Sequence, residues 1–285
     1  MTSDRTVVAI PVQPWFADHC FNGKIVLPAV ETMLLLAAEV AAVHPEIDLR
    51  VMDQVRFARF LEIPAASSRV EALLECRKHE DGSVHARLLS RRQGKAMARL
   101  QEHGEILFAP AGKNDVPMAE CVPAPPVTSE MTITAEQIYR ELVPFGPSYH
   151  TLQESLQLCG QVAWGKLKAP ARPHAAPDKV RNLVGSPFPL DGAFHAACVL
   201  GQRAADFVPF PVGFDRRIIR RPTRPGGSYR TRVQLLSRTN DELLFDLRIF
   251  DDQGHIFESV TGIRMRDVSG GTIKPPEWLQ DGRRK

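Results

Sequence analysis

Two segments of this chain are apolar on nearly every side, and each is followed by a long run of alternating residues. The first, AVETMLLLAAEVAAV, spans 29–43. The second, PLDGAFHAACVLGQRAADF, spans 189–207, with its regular part expected over 191–205. A helix without a polar face has to be covered on most sides. Neither segment reaches the roughly 20 apolar residues that span a bilayer, so the cover has to come from the protein itself. After the first helix come LRVMDQVRFARFLEIP, a hairpin pattern turning at Asp81-Gly82, and RLQEHGEILFAP. After the second comes GSYRTRVQLLSRTNDELLFDLRIFDDQGHIFESVTGIRMRDV. The repetition predicts an α+β protein of two similar halves, two antiparallel sheets each wrapped around a central helix. Residues 110–129, rich in proline and small side chains and without periodicity, read as a linker. The expected organisation is an N-terminal unit over 1–109, the linker, a C-terminal unit over 130–268, and a poorly ordered tail over 269–285. The 285 residues suit two units of about 130 each.

Charge and cysteine use exclude several partners. The net charge is only +3, from 36 basic and 33 acidic residues, too little to predict a nucleic-acid partner. No membrane segment is expected, and MTSDRTVVAIPV lacks the basic-then-apolar pattern of a secretory signal. Cys20, Cys76, Cys121, Cys159 and Cys198 are odd in number, scattered and free of any CxxC pair. That argues against a disulfide framework and against a metal site of the zinc-ribbon kind, and points to a reducing cytoplasm.

The chemistry concentrates just before each buried helix. In HCFNGKIVLP, His19 precedes an Asn22-Gly23 turn, and Pro28 sits where a helix can begin. Cys20 adjoins His19, but neighbours on an extended strand point to opposite faces, so the two are not expected to share a pocket. In FPLDGAFHAAC, Asp191 and His195 lie one helical turn apart on one face. DGSVH at 81–85 has the same spacing, yet Asp-Gly there is what a hairpin turn demands. Helix context therefore selects Asp191.

Together these segments resemble the dehydratase domains of polyketide synthases. HCFNGKIVLP fits HxxxGxxxxP through His19, Gly23 and Pro28. FGPSYH resembles YGPxF with its aromatics exchanged, through Phe145, Gly146, Pro147 and Tyr149. DGAFH fits DxxxQ/H, and FVPFPVGFDR is similar to LPFxW but carries Val212 where tryptophan stands. The motifs occur in family order along the whole chain. The resemblance implies a double hot-dog fold and a catalytic dyad of His19 and Asp191, with His195 in support. It also implies a substrate channel bordered by Gly23, Pro28, Phe145, Gly146, Pro147 and Tyr149.

The residue chemistry agrees with that implication. Eliminating water from a β-hydroxyacyl thioester needs a base for the α-proton, and histidine titrates nearest neutrality. It also needs a protonated acid for the leaving hydroxyl. Apolar neighbours such as Phe188, Leu190 and Phe194 would favour a neutral Asp191 over the opposing pull of the helix N-terminus. Backbone N–H groups at Gly23 or after Pro28 could face the thioester oxygen. The arginines of DRRIIRRPTRPGG, namely Arg216, Arg217, Arg220, Arg221 and Arg224, suit an acidic acyl carrier protein and its phosphopantetheine phosphate; an edge strand kept soluble by charge is the plainer alternative. The expected activity is a free-standing dehydratase acting in trans on carrier-bound β-hydroxyacyl chains, without metal or organic cofactor. Other synthase components and a second copy of the chain are further candidate partners. Isomerisation, product-template-like cyclisation and a non-catalytic synthase module remain the alternatives.

Overall fold

The structure, a computed structural model, describes residues 3–92, 99–110, 121–172 and 176–280. The first half opens with β1 (Ser3–Pro11), a 3-10 turn over Pro14–Asp18, and a small hairpin of β2 (Cys20–Phe21) and β3 (Lys24–Ile25). α1 (Ala29–Val43) follows with the bounds its apolar run predicts, and then β4 (Ile47–Arg56), β5 (Arg69–Lys78), β6 (Val84–Arg92) and β7 (Arg99–Pro110). The second half repeats the plan. It runs through β8 (Met131–Thr134), α2 (Ala135–Gln137, continued as a π-helical turn over Ile138–Leu142), a 3-10 turn over Pro147–Tyr149, β9 (Leu152–Cys159) and β10 (Val162–Lys168). α3 (Asp178–Val184) leads into α4 (Phe188–Ala204), followed by β11 (Pro209–Ile219), β12 (Ser228–Arg238), β13 (Glu242–Phe250), β14 (Ile256–Asp267) and α5 (Glu277–Gln280).

α1 packs on β4, β5, β6 and β7, and α4 on β9 to β13, so each half wraps its strands around one helix. Val30, Met33, Leu36, Ala37 and Val40 of α1 are almost fully buried, and α4 is buried from Phe188 through Gln202. The expectation of two separate sheets needs correction. All the strands except the β2–β3 hairpin form one antiparallel sheet of 12, in the order β1-β5-β6-β7-β4-β11-β14-β13-β12-β10-β9-β8. The seam is the pairing of β4 with β11, where Phe214 faces Val55 and Arg217 faces Met52. Each half would otherwise expose an unpaired strand edge there, and joining the edges satisfies both. α1 and α4 also touch, and one hydrophobic core runs through both halves.

Three boundaries differ from the sequence expectation. α4 begins at Phe188, because prolines at 187 and 189 are compatible with a helix start, so Asp191 lies within the first turn. The tail packs rather than frays as far as Gln280: Leu279 is fully buried, and Gln280 Nε2 donates to the Ala205 carbonyl at 2.7 Å. Of the linker, 111–120 lie outside the described residues. Residues 121–129 carry neither helix nor strand, yet Val122 packs with Trp164, Phe250 and Ile256. No single helix among the described residues is long and apolar enough to cross a membrane.

Candidate active site

His19 caps the 3-10 turn of Pro14–Asp18, and its position is set from two sides. On one side its Nδ1 lies 3.1 Å from the Val26 carbonyl oxygen. A carbonyl only accepts, so Nδ1 carries the hydrogen and Nε2 is left with a lone pair. On the other side the ring stacks on Phe145, with centroids 4.3 Å apart and planes 12° apart, and meets the edge of Tyr149 at 5.2 Å. The FGPSY segment that supplies these rings is tied to the turn before His19. Gly146 N–H donates to the Asp18 carbonyl at 2.7 Å, and Ser148 N–H to Asp18 Oδ2 at 2.8 Å. A side chain at Gly146 would run into Asp18. Burial pulls the His19 pKa from 6.5 to about 4, against the raising influence of nearby Asp191.

Asp191 comes from the other half, in the first turn of α4, and is 6 % exposed. A side chain at Gly192 would collide with Thr151 and meet Leu167, so the helix start lies close against those two side chains. His195 Nε2 is 3.1 Å from Asp191 Oδ2, but the two are not aligned for a hydrogen bond, and both atoms are buried without another partner. On its far side, His195 Nδ1 lies 3.4 Å from the Tyr139 hydroxyl, which in turn accepts the Leu152 N–H at 2.8 Å. His19, Asp191 and His195 all face one cavity of about 1000 Å³.

The family model described as "Polyketide synthase dehydratase N-terminal domain" matches residues 122–272, just over half of the chain. The chain belongs to the polyketide synthase dehydratase family. Polyketide synthase ThaG of Burkholderia thailandensis is 27% identical over an alignment of 265 residues, which covers 89% of this chain but only 4% of that protein. Among solved structures, the dehydratase domain of a mycocerosic acid synthase-like synthase superposes with a TM-score of 0.70 at 13% identity, covering 94% of this chain and 92% of that one. The dehydratase domain of RzxB from Pseudomonas fluorescens gives 0.69 at 19% identity, covering 92% and 94%. Both similarities establish a shared fold, the double hot dog of such dehydratase domains.

Within this dehydratase-family chain the expected site residues separate into two groups. Phe145 lines the cavity, whereas Gly23, Pro28, Gly146, Pro147 and Tyr149 do not appear in its wall. Gly23, with φ of 74°, completes the β2–β3 turn, and the Pro28 carbonyl accepts the Glu31 and Thr32 N–H groups of α1. Tyr149 is fully buried behind His19. These five shape the backbone around the histidine instead of touching the cavity. Cys20 shares the cavity with His19, contrary to the strand argument, because His19 ends a 3-10 turn and is not extended. Its thiol donates to the Ala17 carbonyl.

The five arginines are placed differently from one another. Arg217 is 2 % exposed, and its Nε and Nη2 donate to Glu258 Oε2 at 3.0 and 2.7 Å. It is therefore a buried structural ion pair with no access to a partner, which corrects its assignment to docking. Arg216 lies opposite Asp53 across the seam at 3.5 Å. Arg220 is half-buried, Arg221 and Arg224 are exposed, and none of the five reaches the described cavity wall. The cations that do are Lys24, Arg59, Arg91 and Lys274.

The sequence reading missed much of the wall. Beside the expected Asp191 and His195, Phe194, Cys198 and Gln202 of α4 line it. Their spacing of three, four, seven and eleven residues from Asp191 is one helical face and was legible. Ser90 and His103 also line it. Nothing in an alternating strand pattern marks them.

Proposed function

We propose that this chain dehydrates β-hydroxyacyl thioesters presented on the phosphopantetheine arm of an acyl carrier protein. The observation that carries the reading is a buried histidine with a bare Nε2 and a carboxyl from the opposite half, facing one cavity. His19 Nε2 takes the proton α to the thioester carbonyl. The electron pair moves into a new Cα–Cβ double bond as the Cβ–O bond breaks. The step requires a proton on Asp191, which passes to the departing hydroxyl, and this leaves as water. Return of the proton from His19 to Asp191 resets the pair. Base and acid suffice for this elimination, so it calls for neither metal nor organic cofactor. Phe145 holds the plane of the His19 ring, and His195, backed by Tyr139, positions the acid. The carrier's phosphate is assigned to the cations at the cavity, Arg59 and Arg91 foremost, rather than to the arginines of β11. The reading holds for a separate subunit and for part of a longer synthase alike.

Incubation with a β-hydroxyacyl carrier protein, followed by intact-mass measurement, tests it. Loss of one water is the expected result. Unchanged mass with a new chromophore would indicate isomerisation instead, and no change with any tethered chain would sink an enzymatic role.

A further inference from the structure

β7 carries one residue more than its partner strand at His103. Leu88 pairs with Gly104 and Leu89 with Glu102, so the ladder between β6 and β7 skips the histidine. A bulge of this kind re-aims a side chain. Here it presents the imidazole, 5 % exposed, to the cavity wall. The bulge is pinned from behind, because a Cβ on Gly104 would lie 2.8 Å from Thr32 Cγ2 of α1.

The hydrogen bonds at this point have only one polarity. His103 Nδ1 lies 3.2 Å from the Arg59 carbonyl oxygen, and Nε2 lies 2.7 Å from Ser90 Oγ. The carbonyl cannot donate, so Nδ1 holds a hydrogen. Burial keeps the imidazole pKa below its ordinary value, so the ring is neutral at neutral pH and Nε2 is bare. Ser90 therefore spends its only proton on Nε2, and its oxygen is left with lone pairs alone. Ser90 itself lines the cavity, in a wall that also contains Leu27, Phe57, Phe60 and Leu61.

We infer that Ser90 Oγ, oriented by His103, is an acceptor-only station that recognises a hydrogen-bond donor on the bound thioester. The donor is a hydroxyl on the acyl chain or an amide N–H on the carrier arm. The inference rests on the cavity being a thioester site, and Ser90 and His103 take no part in the proposed elimination. Their role is to choose among substrates. A fixed acceptor favours a hydroxyl or amide and gives nothing to a ketone at the same place, because two acceptors cannot pair.

Binding of unreactive thioether analogues, measured by calorimetry, tests this without needing turnover. Four analogues pair a plain chain or one with a hydroxyl beyond the reacting carbons with either pantetheine or a simple alkyl thiol. A fifth carries a ketone in place of that hydroxyl. Ser90→Ala should weaken binding of the analogues that carry the recognised donor by about tenfold and leave the donor-free one unchanged. Ser90→Thr, which keeps the hydroxyl, should bind as wild type does. A loss that follows the hydroxyl assigns the station to the chain, and one that follows pantetheine assigns it to the arm. An equal loss on every analogue, or no loss on any, would overturn the inference, and so would a ketone bound as tightly as the hydroxyl where the loss follows the chain. If wild type binds none of them, the inference also falls, and turnover of the carrier-linked substrate then decides separately whether the thioester reading survives.

Discussion

His19 keeps its imidazole neutral because it is buried, and this sets a pH limit on any chemistry it performs. Its pKa is lowered to about 4, so the neutral base dominates above that value and is lost as pH falls through it. The acidic limb of kcat/KM should therefore lie near pH 4, and a limb at the ordinary histidine value would contradict the assignment. Glu31 behaves in the opposite way. It stands in the first turn of α1, 8 % exposed, with Oε1 accepting Trp15 Nε1–H at 3.2 Å. Burial raises its pKa from 4.5 to about 7, and the charge of Asp191 adds to the rise. The native state thus holds a proton that the unfolded chain has already released. That contribution to stability is complete below 4.5 and lost as pH rises through 7. Glu31→Gln should remove the dependence and melt later than wild type at alkaline pH, by a margin of up to about 3 kcal/mol. Unfolding curves at pH 5 and pH 9 check it; parallel behaviour of the two proteins would refute the burial argument. His19 and Asp191 were legible because short motifs set them off from their surroundings. Glu31 was not, since a glutamate inside a helical run reads as an exposed face. His103 was not, since a bulge leaves no trace in an alternating pattern.

At the level of elements, two glycines let the backbone approach its neighbours closely. The first lies in the clamp between Asp18 and the Gly146–Ser148 segment. Gly146→Ala would push FGPSY off the turn that ends at His19. It should lower kcat by on the order of tenfold or more, with unfolding monitored in parallel to show that the protein remains folded. The second lies at the start of α4, where Gly192 has no room for a methyl group beside Thr151 and Leu167. Gly192→Ala should cost about 1–3 kcal/mol of stability, measured by chemical denaturation; an unchanged midpoint would show that α4 can shift. The apolar run located α1 to the residue, because Pro28 marks its start unambiguously. The start of α4 was placed three residues late, because a proline on each side of Phe188 masks where the helix begins.

Across the whole molecule, two similar halves join edge to edge and share one core, so each supplies part of one cavity. The seam between β4 and β11 could not be read from periodicity, which reports faces of a strand and not its neighbours. The same limit explains why Arg217 was grouped with exposed arginines: it points inward to Glu258, and the basic residues at the cavity come from distant segments. Reversing Arg59 and Arg91 to glutamate should therefore weaken use of a carrier-bound substrate more than use of a small thioester. Reversing Arg220 and Arg221 should affect both little, and the opposite ranking would restore the arginines of β11. The central claim, that one half gives the base and the other the acid, is tested most directly by timing the loss of water from a β-hydroxyacyl carrier protein with four variants. His19→Ala and Asp191→Asn should each slow it by at least roughly a hundredfold, and the double variant should be no slower than the slower single one. Asp81→Asn should match wild type, because Asp81 serves the hairpin by accepting Ser83 N–H at 2.9 Å. Near-normal water loss by Asp191→Asn, or its collapse in Asp81→Asn, would contradict the account.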